Sequence, residues 1–250
     1  MKLRLDKLLL ERGLAPSRER AQALILAGRV MVNEQKVDKP GTSVASDATI
    51  RMLGEDLRYV SRGGLKLERA LLHWQINLSG KTCLDVGAST GGFTDCMLQR
   101  GAARVIAIDT GYGQIDVRLR HDERVNLLEK TNARYLTRKQ LGRRIDFFAM
   151  DVSFISATLV LPAVVAAIRR QVVGSPAQVD GVVLVKPQFE AGREAIGKGG
   201  IVRDEKLQHA AVNRVLDVVR QLGGVEIESI DSPILGTEGN REFLLHSLFR

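Results

Sequence analysis

The sequence predicts a protein of two parts, the larger of which is an α/β domain built on a mainly parallel sheet. Apolar strand-like runs alternate with helical segments from residue 82 onward, a pattern typical of parallel sheets with helices on both faces. A turn with three glycines separates the first of these strands from a helix. The first 60 residues instead show short helices and strands, which predict a small α+β unit. One large and one small domain fit a chain of 250 residues.

The small unit, residues 1–60, is predicted to begin with two helices. The first spans residues 3–12, and the second runs from its capping residue Ser17 to Gly28. Short strands are expected after them, at residues 30–33, 36–37 and 48–51.

The string RLDKLLLERGLAPSRERAQALILAGRVMVN, continued by VDKPG, resembles the S4 RNA-binding domain. Its Ser17-Arg18 start, its Gly28-x-Val30 exit and its Lys39-Pro40-Gly41 turn stand where that family has them. The resemblance implies RNA-phosphate contacts from five basic side chains: Arg4, Arg18, Arg20, Arg29 and Lys36. Residues 1–60 carry 11 Lys plus Arg against 8 Asp plus Glu, a modest surplus that agrees with RNA. An ordinary solvated helix face is the alternative.

Charge and composition restrict the partners of the whole chain. A formal charge of +8 favours a polyanion or an anionic membrane surface. No uncharged apolar stretch reaches 18 residues and the start lacks a cleavage-like segment, so we expect a cytoplasmic protein. Cys83 and Cys96 are predicted to be core residues without a disulfide, and the four histidines show no ligand spacing, so no metal is expected.

A linker over about residues 58–64 is predicted to join the small unit to the larger domain, residues 61–250. Arg62-Gly63-Gly64 breaks the apolar periodicity, which restarts at Leu65 in a helix that extends to Trp74. Lys66 lies on another side of that helix, where a lysine in isolation is usually a solvated charge.

The larger domain is predicted to contain seven strands. They are expected at residues 82–86, 104–109, 125–128, 145–151, 181–186, 225–230 and 242–248, with helices near 92–100, 115–120, 155–169 and 205–221. No helix separates the last two strands, so one of them should run antiparallel.

The glycine turn and two later positions predict a cofactor site. The first strand ends near Asp85, and the glycines that follow allow the backbone to approach a ligand. The spacing differs from G-x-G-x-x-G and resembles motif I of S-adenosyl-L-methionine-dependent methyltransferases; a nicotinamide enzyme and a non-binding turn are the alternatives. The resemblance implies cofactor contacts from Asp85, Gly87, Ser89, Gly91, Gly92 and Phe93. Asp109 closes the next strand, where a ribose would be held. Asn132 is a candidate adenine contact or a polar turn residue.

Three further strand ends carry charged side chains. Asp151 closes one apolar strand, Lys186 closes the next, and Glu242 opens the last, reversed strand. Ligands of open α/β sheets bind outside the carboxyl ends of parallel strands, so these side chains are expected in the cofactor crevice. Solvated strand termini are the alternative. Residues 188–203 are predicted to form either a lid over substrate or a surface loop.

Lys66, Asp151, Lys186 and Glu242 resemble the K-D-K-E tetrad of FtsJ-type ribose 2'-O-methyltransferases. With the segments SRGGLKL, LDVGASTGGFTDC, MDVSFIS, LVKPQFE and GNREFLL, the chain resembles the TlyA family of rRNA 2'-O-methyltransferases, also called hemolysin A. That resemblance implies a class I methyltransferase fold, S-adenosyl-L-methionine as cofactor, and a cytidine of ribosomal RNA as substrate. The short termini favour 23S RNA over both subunits.

The chemistry accounts for these residue types, because a ribose hydroxyl needs a base to remove its proton. Lys186 is the expected base, with Lys66 beside it and the two acids holding the ammonium groups. A membrane-active hemolysin and a catalytically inactive S4-type ribosome-assembly factor are the competing functions. No DNA partner is expected, and the sequence leaves the oligomeric state open.

Overall fold

The computed structural model describes residues 2–15, 17–53, 58–169, 178–192, 197, 199–236 and 239–249. The chain divides into two compact units, Met1–Asp56 and Leu57–Arg250. Within the described residues, no helix combines the length and the apolar composition that a bilayer span requires.

The smaller unit consists of two helices and short antiparallel strands. Its elements are β1 (Lys2–Arg4), α1 (Leu5–Glu11), α2 (Arg18–Leu26), β2 (Val30–Val32), β3 (Gln35–Val37), β4 (Ser43–Ala45) and β5 (Ile50–Met52). β1 pairs with β4, and β2 lies between β3 and β5. Apolar side chains of both helices are buried together with Val30 and Val44, and they form the core of this unit.

The predicted helix over residues 3–12 is wrong at its start. Residues 2–4 form a strand in which Leu3 pairs with Val44, and the partner strand β4 was not predicted. The second helix is confirmed with its cap, because the Ser17 hydroxyl accepts a hydrogen bond from the backbone N–H of Arg20 at 3.2 Å.

The larger unit alternates strands and helices along the chain. Its strands are β6 (Thr82–Val86), β7 (Arg104–Ile108), β8 (Val125–Leu128), β9 (Phe147–Met150), β10 (Val179–Val185), β11 (Gly224–Asp231) and β12 (Phe243–Phe249). Its helices are α3 (Gly63–His73), α4 (Gly92–Gln99), α5 (Val117–Arg120), α6 (Arg138–Leu141), α7 (Ala157–Ile168), α8 (Pro187–Glu190) and α9 (Glu205–Gln221), with a 3₁₀ turn at Ala133–Tyr135.

The strands form a seven-stranded sheet in the order β11-β12-β10-β9-β6-β7-β8. Strands β6 to β10 pair in parallel, whereas β12 is antiparallel to both of its neighbours. This confirms the predicted α/β class with its reversed seventh strand. One apolar cluster packs α7 and α9 on one face of the sheet, and a second packs α3 and α4 on the other.

Several predicted boundaries shift by one or two residues. Helix α3 begins at Gly63, inside the predicted linker. Strand β10 ends at Val185 and β12 begins at Phe243, so Lys186 and Glu242 lie just outside their strands. The expected lid falls partly outside the described residues, at 193–196 and 198, while its first residues belong to α8.

Candidate active site

The sheet topology fixes where a ligand can bind. The chain runs outward from β6 to β8 and then returns to β9 on the other side of β6. Loops after β6 and β9 therefore diverge at the carboxyl edge and leave a crevice between them, the usual ligand site of open α/β sheets.

Glycines in the loop after β6 allow this crevice to form. Gly87 has a φ of +89°, and a Cβ at that position would lie 2.3 Å from the backbone oxygen of Asp151. A Cβ on Gly92 would lie 2.2 Å from the Ser61 hydroxyl oxygen. The loop thus lies against the backbone after β9 and against the segment before α3 at distances that only glycine permits.

Two lysine–carboxylate pairs lie in one cavity of about 260 Å³. Lys66 Nζ donates to Glu242 Oε2 at 2.5 Å, and both residues are buried, with exposed fractions of 8% and 3%. Lys186 Nζ lies 2.6 Å from Asp151 Oδ1 and donates to the Ser153 hydroxyl at 2.7 Å. The structure therefore brings together the four sequence-predicted residues, each lysine with its own acid.

A second cavity, of about 500 Å³, extends along the ends of β7 and β8. Asp109 lies in its wall and accepts hydrogen bonds from the backbone N–H groups of Ser89 at 2.8 Å and Gly111 at 2.6 Å. Asn132 also lines it and caps the following 3₁₀ turn. The lining of both cavities includes Gly87, Ser89, Asp151 and Ser153, so the cavities adjoin.

Two predicted cofactor residues do not line either cavity. Asp85 is fully buried and accepts a hydrogen bond from the Thr94 hydroxyl at 2.6 Å. Burial raises the pKa of Asp85 to about 7, although the Thr94 hydrogen bond acts in the opposite direction. Gly91, at φ +94°, faces Leu119 and Ile115. Asp85 and Gly91 therefore support the loop from its core side, whereas Gly92 and Phe93 line the smaller cavity.

Ser61 and Arg62, just before α3, and Gly63, its first residue, also line the smaller cavity. This segment is anchored by Val60, whose N–H donates to Asp95 at 2.8 Å, and by Tyr59, whose hydroxyl donates to Glu68 at 3.0 Å. The sequence prediction treated these residues as a linker. They are instead part of the cavity wall.

Sequence reasoning missed Phe154. Its side chain is 92% exposed in the wall of the larger cavity, with a backbone φ of +63° and its ring 5.5 Å from that of Phe189. Left-handed backbone and a solvated ring are both unfavourable for phenylalanine. The signal available in the sequence was a phenylalanine three residues beyond the acid at a strand end.

The five basic residues predicted for RNA binding lie in the smaller unit, and two of them, Arg4 and Arg18, contact the buried Asp6. Arg4 donates to both Asp6 oxygens, at 2.9 and 3.0 Å, and Arg18 donates to one at 3.1 Å. The Arg4 hydrogen bonds, with those from Gln22 and Arg18, hold the pKa of Asp6 far below its ordinary value. Both guanidinium groups are nearly half exposed, so the unit presents oriented positive charge.

The other three basic residues are distributed more widely. The Arg29 guanidinium donates to the backbone oxygen of Leu53 at 2.9 Å. Lys36 is exposed and its side chain crosses Gly28, where a Cβ would lie 2.1 Å from Lys36 Cε. Arg20 lies in the first turn of α2 and is partly buried.

Comparison with known proteins agrees with this architecture. The family model of the FtsJ-like methyltransferase matches residues 59–249, and that of the S4 domain matches residues 3–50. A proposed rRNA methyltransferase of Bacillus subtilis, YqxC, is 48% identical over 98% of this chain and 85% of its own length. The 16S/23S rRNA (cytidine-2'-O)-methyltransferase TlyA of Mycobacterium tuberculosis is 44% identical over 97% of this chain and 88% of its own. A solved structure from Streptococcus thermophilus, named as a proposed hemolysin, is 42% identical, with a TM-score of 0.73 over 99% of this chain and 88% of that one.

Proposed function

This chain belongs to the TlyA family of S4-bearing, FtsJ-like methyltransferases, and from that premise we propose that it methylates the 2'-hydroxyl of a cytidine in ribosomal RNA. The methyl donor in this proposal is S-adenosyl-L-methionine. The observation that carries the proposal is the meeting of two lysine–carboxylate pairs in the smaller cavity, which adjoins the larger one through the shared residues Asp151 and Ser153.

The residues of the larger cavity fit this cofactor. Asp109 projects from the end of β7 and has acceptor capacity left for a ribose diol, since each carboxylate oxygen can accept more than one hydrogen bond. Asn132 and Gly111 line the adjoining wall, where an adenine can be held. A volume of about 500 Å³ is in the range of small-molecule sites. The cofactor, when bound, supplies an electrophilic methyl group on a sulfonium sulfur.

Lys186 is the proposed general base. In its neutral form, its Nζ would take the proton of the 2'-hydroxyl from within the smaller cavity, whose lining shares Asp151 and Ser153 with the larger one. The cofactor would supply the methyl group that the 2'-oxygen receives. Asp151 and Ser153 hold the Nζ atom in position. Lys66 is tied to Glu242 in the same cavity and orients the ribose or its phosphate.

Phe154 is proposed to stack on the target base. Phe154 is 92% exposed and directly follows Ser153, whose hydroxyl accepts a hydrogen bond from the Lys186 amine. Base–aromatic stacking contributes about 1–3 kcal/mol per base, which offsets the cost of removing a nucleotide from its own stack.

The smaller unit is proposed to provide the sequence-independent part of RNA affinity. Arg4 and Arg18 are oriented by a shared carboxylate, and such preorganised guanidinium groups suit phosphate oxygens. The choice of 23S RNA alone, as opposed to both subunits, stays a prediction.

A methyl-transfer assay on unmodified 30S and 50S subunits, followed by mass spectrometry of the RNA, tests the proposal. We expect a 2'-O-methylcytidine that is absent with Lys186→Ala. A methyl group on a base would contradict the 2'-hydroxyl mechanism. Failure of the protein to bind S-adenosyl-L-methionine in calorimetry would favour an inactive assembly factor. Lysis of erythrocytes by pure protein, undiminished in Asp151→Ala, would favour the hemolysin alternative.

A further inference from the structure

The aromatic residues of this chain are unevenly exposed. The chain has one Trp, three Tyr and seven Phe. Among the described residues, the strongly exposed aromatic side chains are Tyr112 at 70%, Tyr135 at 69% and Phe154. They stand on three consecutive connections at the carboxyl edge, after β7, β8 and β9 respectively. Single exposed aromatics are ordinary, but three successive loops at one rim are not a random scatter.

The two tyrosines are each accompanied by a cation. Lys130 Nζ lies 4.6 Å from the centre of the Tyr112 ring, and Arg134 Cζ lies 5.8 Å from that of Tyr135. Residues 130–144 contain six Lys or Arg and no Asp or Glu. Positive charge interleaved with exposed rings is the surface on which unpaired nucleotides stack.

Backbone hydrogen bonds hold the loops that carry these rings. Lys130 N–H donates to Gly111 oxygen at 3.1 Å, which joins the loop after β8 to the loop after β7. Gly113 N–H donates to Glu129 at 2.6 Å. Asn132 caps the turn that displays Tyr135. Rings on loops already ordered lose little conformational freedom when a base stacks on them.

The smaller unit cannot supply this kind of contact. Residues 1–56 contain no Phe, Tyr or Trp, so RNA contacts there rest on charge and hydrogen bonds. Stacking of bases on aromatic rings must come from the larger unit.

We propose that Tyr112 and Tyr135, with Lys130 and Arg134, form a binding rim for unpaired RNA nucleotides that flank the target. The rim selects substrates in which single-stranded character extends beyond the modified nucleotide. This inference rests on the proposed RNA substrate and deepens it.

The test compares the full-length protein with the variant Tyr112→Ser/Tyr135→Ser and with Tyr112→Phe/Tyr135→Phe as the matched control. Fluorescence anisotropy measures binding of an oligocytidine of about 12 nucleotides and of an RNA duplex of similar length. Calorimetry measures binding of S-adenosyl-L-methionine. Circular dichroism checks that each variant melts like the parent protein.

We expect the Ser variant to bind oligocytidine at least about fivefold more weakly, which corresponds to the loss of about 1 kcal/mol of stacking. Duplex binding should change by less than about twofold, and the slope of affinity against salt should stay the same because no charge is removed. The Phe variant keeps the rings and should bind like the parent.

Any of three results for the Ser variant would refute the proposed rim: equal losses of affinity for both RNA forms, unchanged oligocytidine binding, or a loss of affinity confined to S-adenosyl-L-methionine. These binding measurements need no methyl transfer. If the protein binds oligocytidine through these tyrosines but methylates no RNA, the proposed function is refuted and the proposed rim is still supported.

Discussion

Replacing Lys186 by arginine tests the proposed base more sharply than its removal. Arginine keeps the positive charge and can still reach Asp151, whose Oδ1 lies 2.6 Å from the lysine Nζ. It does not give up its proton in a protein, so it cannot accept one from a ribose hydroxyl. Lys186→Arg should therefore be as inactive as Lys186→Ala, although it retains the ion pair.

The size of the loss follows from the role of the amine. General base catalysis contributes about 10²- to 10⁴-fold, or roughly 3–5 kcal/mol of transition-state stabilisation. The folding cost at this site should be small, because the Asp151 and Lys186 side chains keep 21% and 11% of their exposure and Ser153 remains a partner. The Lys66–Glu242 pair is more deeply buried. Lys66→Ala leaves the Glu242 carboxylate buried without its partner, which costs about 3–5 kcal/mol of stability.

Single-turnover methyl transfer to unmodified ribosomal subunits is the assay, with RNA and cofactor affinities measured on the same samples. Both Lys186 variants should retain those affinities. A double variant of Lys66 and Lys186 that still folds should lose little beyond the worse single change, because the residues act as one unit. Turnover by Lys186→Arg within about tenfold of the parent protein would refute the base assignment and make the residue an electrostatic anchor.

Three further predictions concern the end of β6, the start of α4 and the smaller unit. Burial raises the Asp85 pKa from 3.8 to about 7, so the native state binds the extra proton between these values and loses stability as pH rises through them. Asp85→Asn should remove this loss, which is on the order of 4 kcal/mol. Urea unfolding across this pH range tests the prediction, and a parent protein whose stability depends on pH in the same way as the variant's would contradict the assignment. Gly92→Ala should place a methyl group against Ser61, lower stability by about 1–3 kcal/mol and weaken cofactor binding in calorimetry; an alanine variant that binds normally would show that the loop yields. Arg18→Ala should lower the log–log salt slope of RNA affinity by roughly 0.7–0.9, whereas an unchanged slope would remove Arg18 from the phosphate contacts.

The sequence predicted the larger sheet well because its strands are buried on both faces. A run such as Phe147–Met150 is apolar throughout, and burial leaves few other ways to place it. The short strand β1, with the sequence KLR, has no such pattern, and it pairs with β4, which lies about 40 residues later in the sequence. Its strand character arises from tertiary context, which local periodicity does not report.

The candidate site was predictable in membership but not in arrangement. Strand ends and family resemblance identified Lys66, Asp151, Lys186 and Glu242. Which lysine pairs with which acid depends on tertiary structure. Lys66 in α3 meets Glu242, just before β12, although the two residues are 176 positions apart in the sequence. The burial of Asp85 was equally invisible, because an acid at the end of a strand can face the ligand or the core.

The pairing has a consequence for how the RNA is attracted. Two lysines paired at hydrogen-bond distance with two carboxylates carry no net positive charge, whether the base Lys186 is protonated or neutral. The centre itself therefore exerts little long-range attraction on a polyanion. Attraction must come from charge elsewhere, such as Arg4 and Arg18 in the smaller unit and the acid-free stretch 130–144 in the larger. Added salt screens those surface charges far more than it screens the two largely buried pairs. Salt should therefore act mainly on RNA binding and leave the rate of methyl transfer in the assembled complex nearly unchanged.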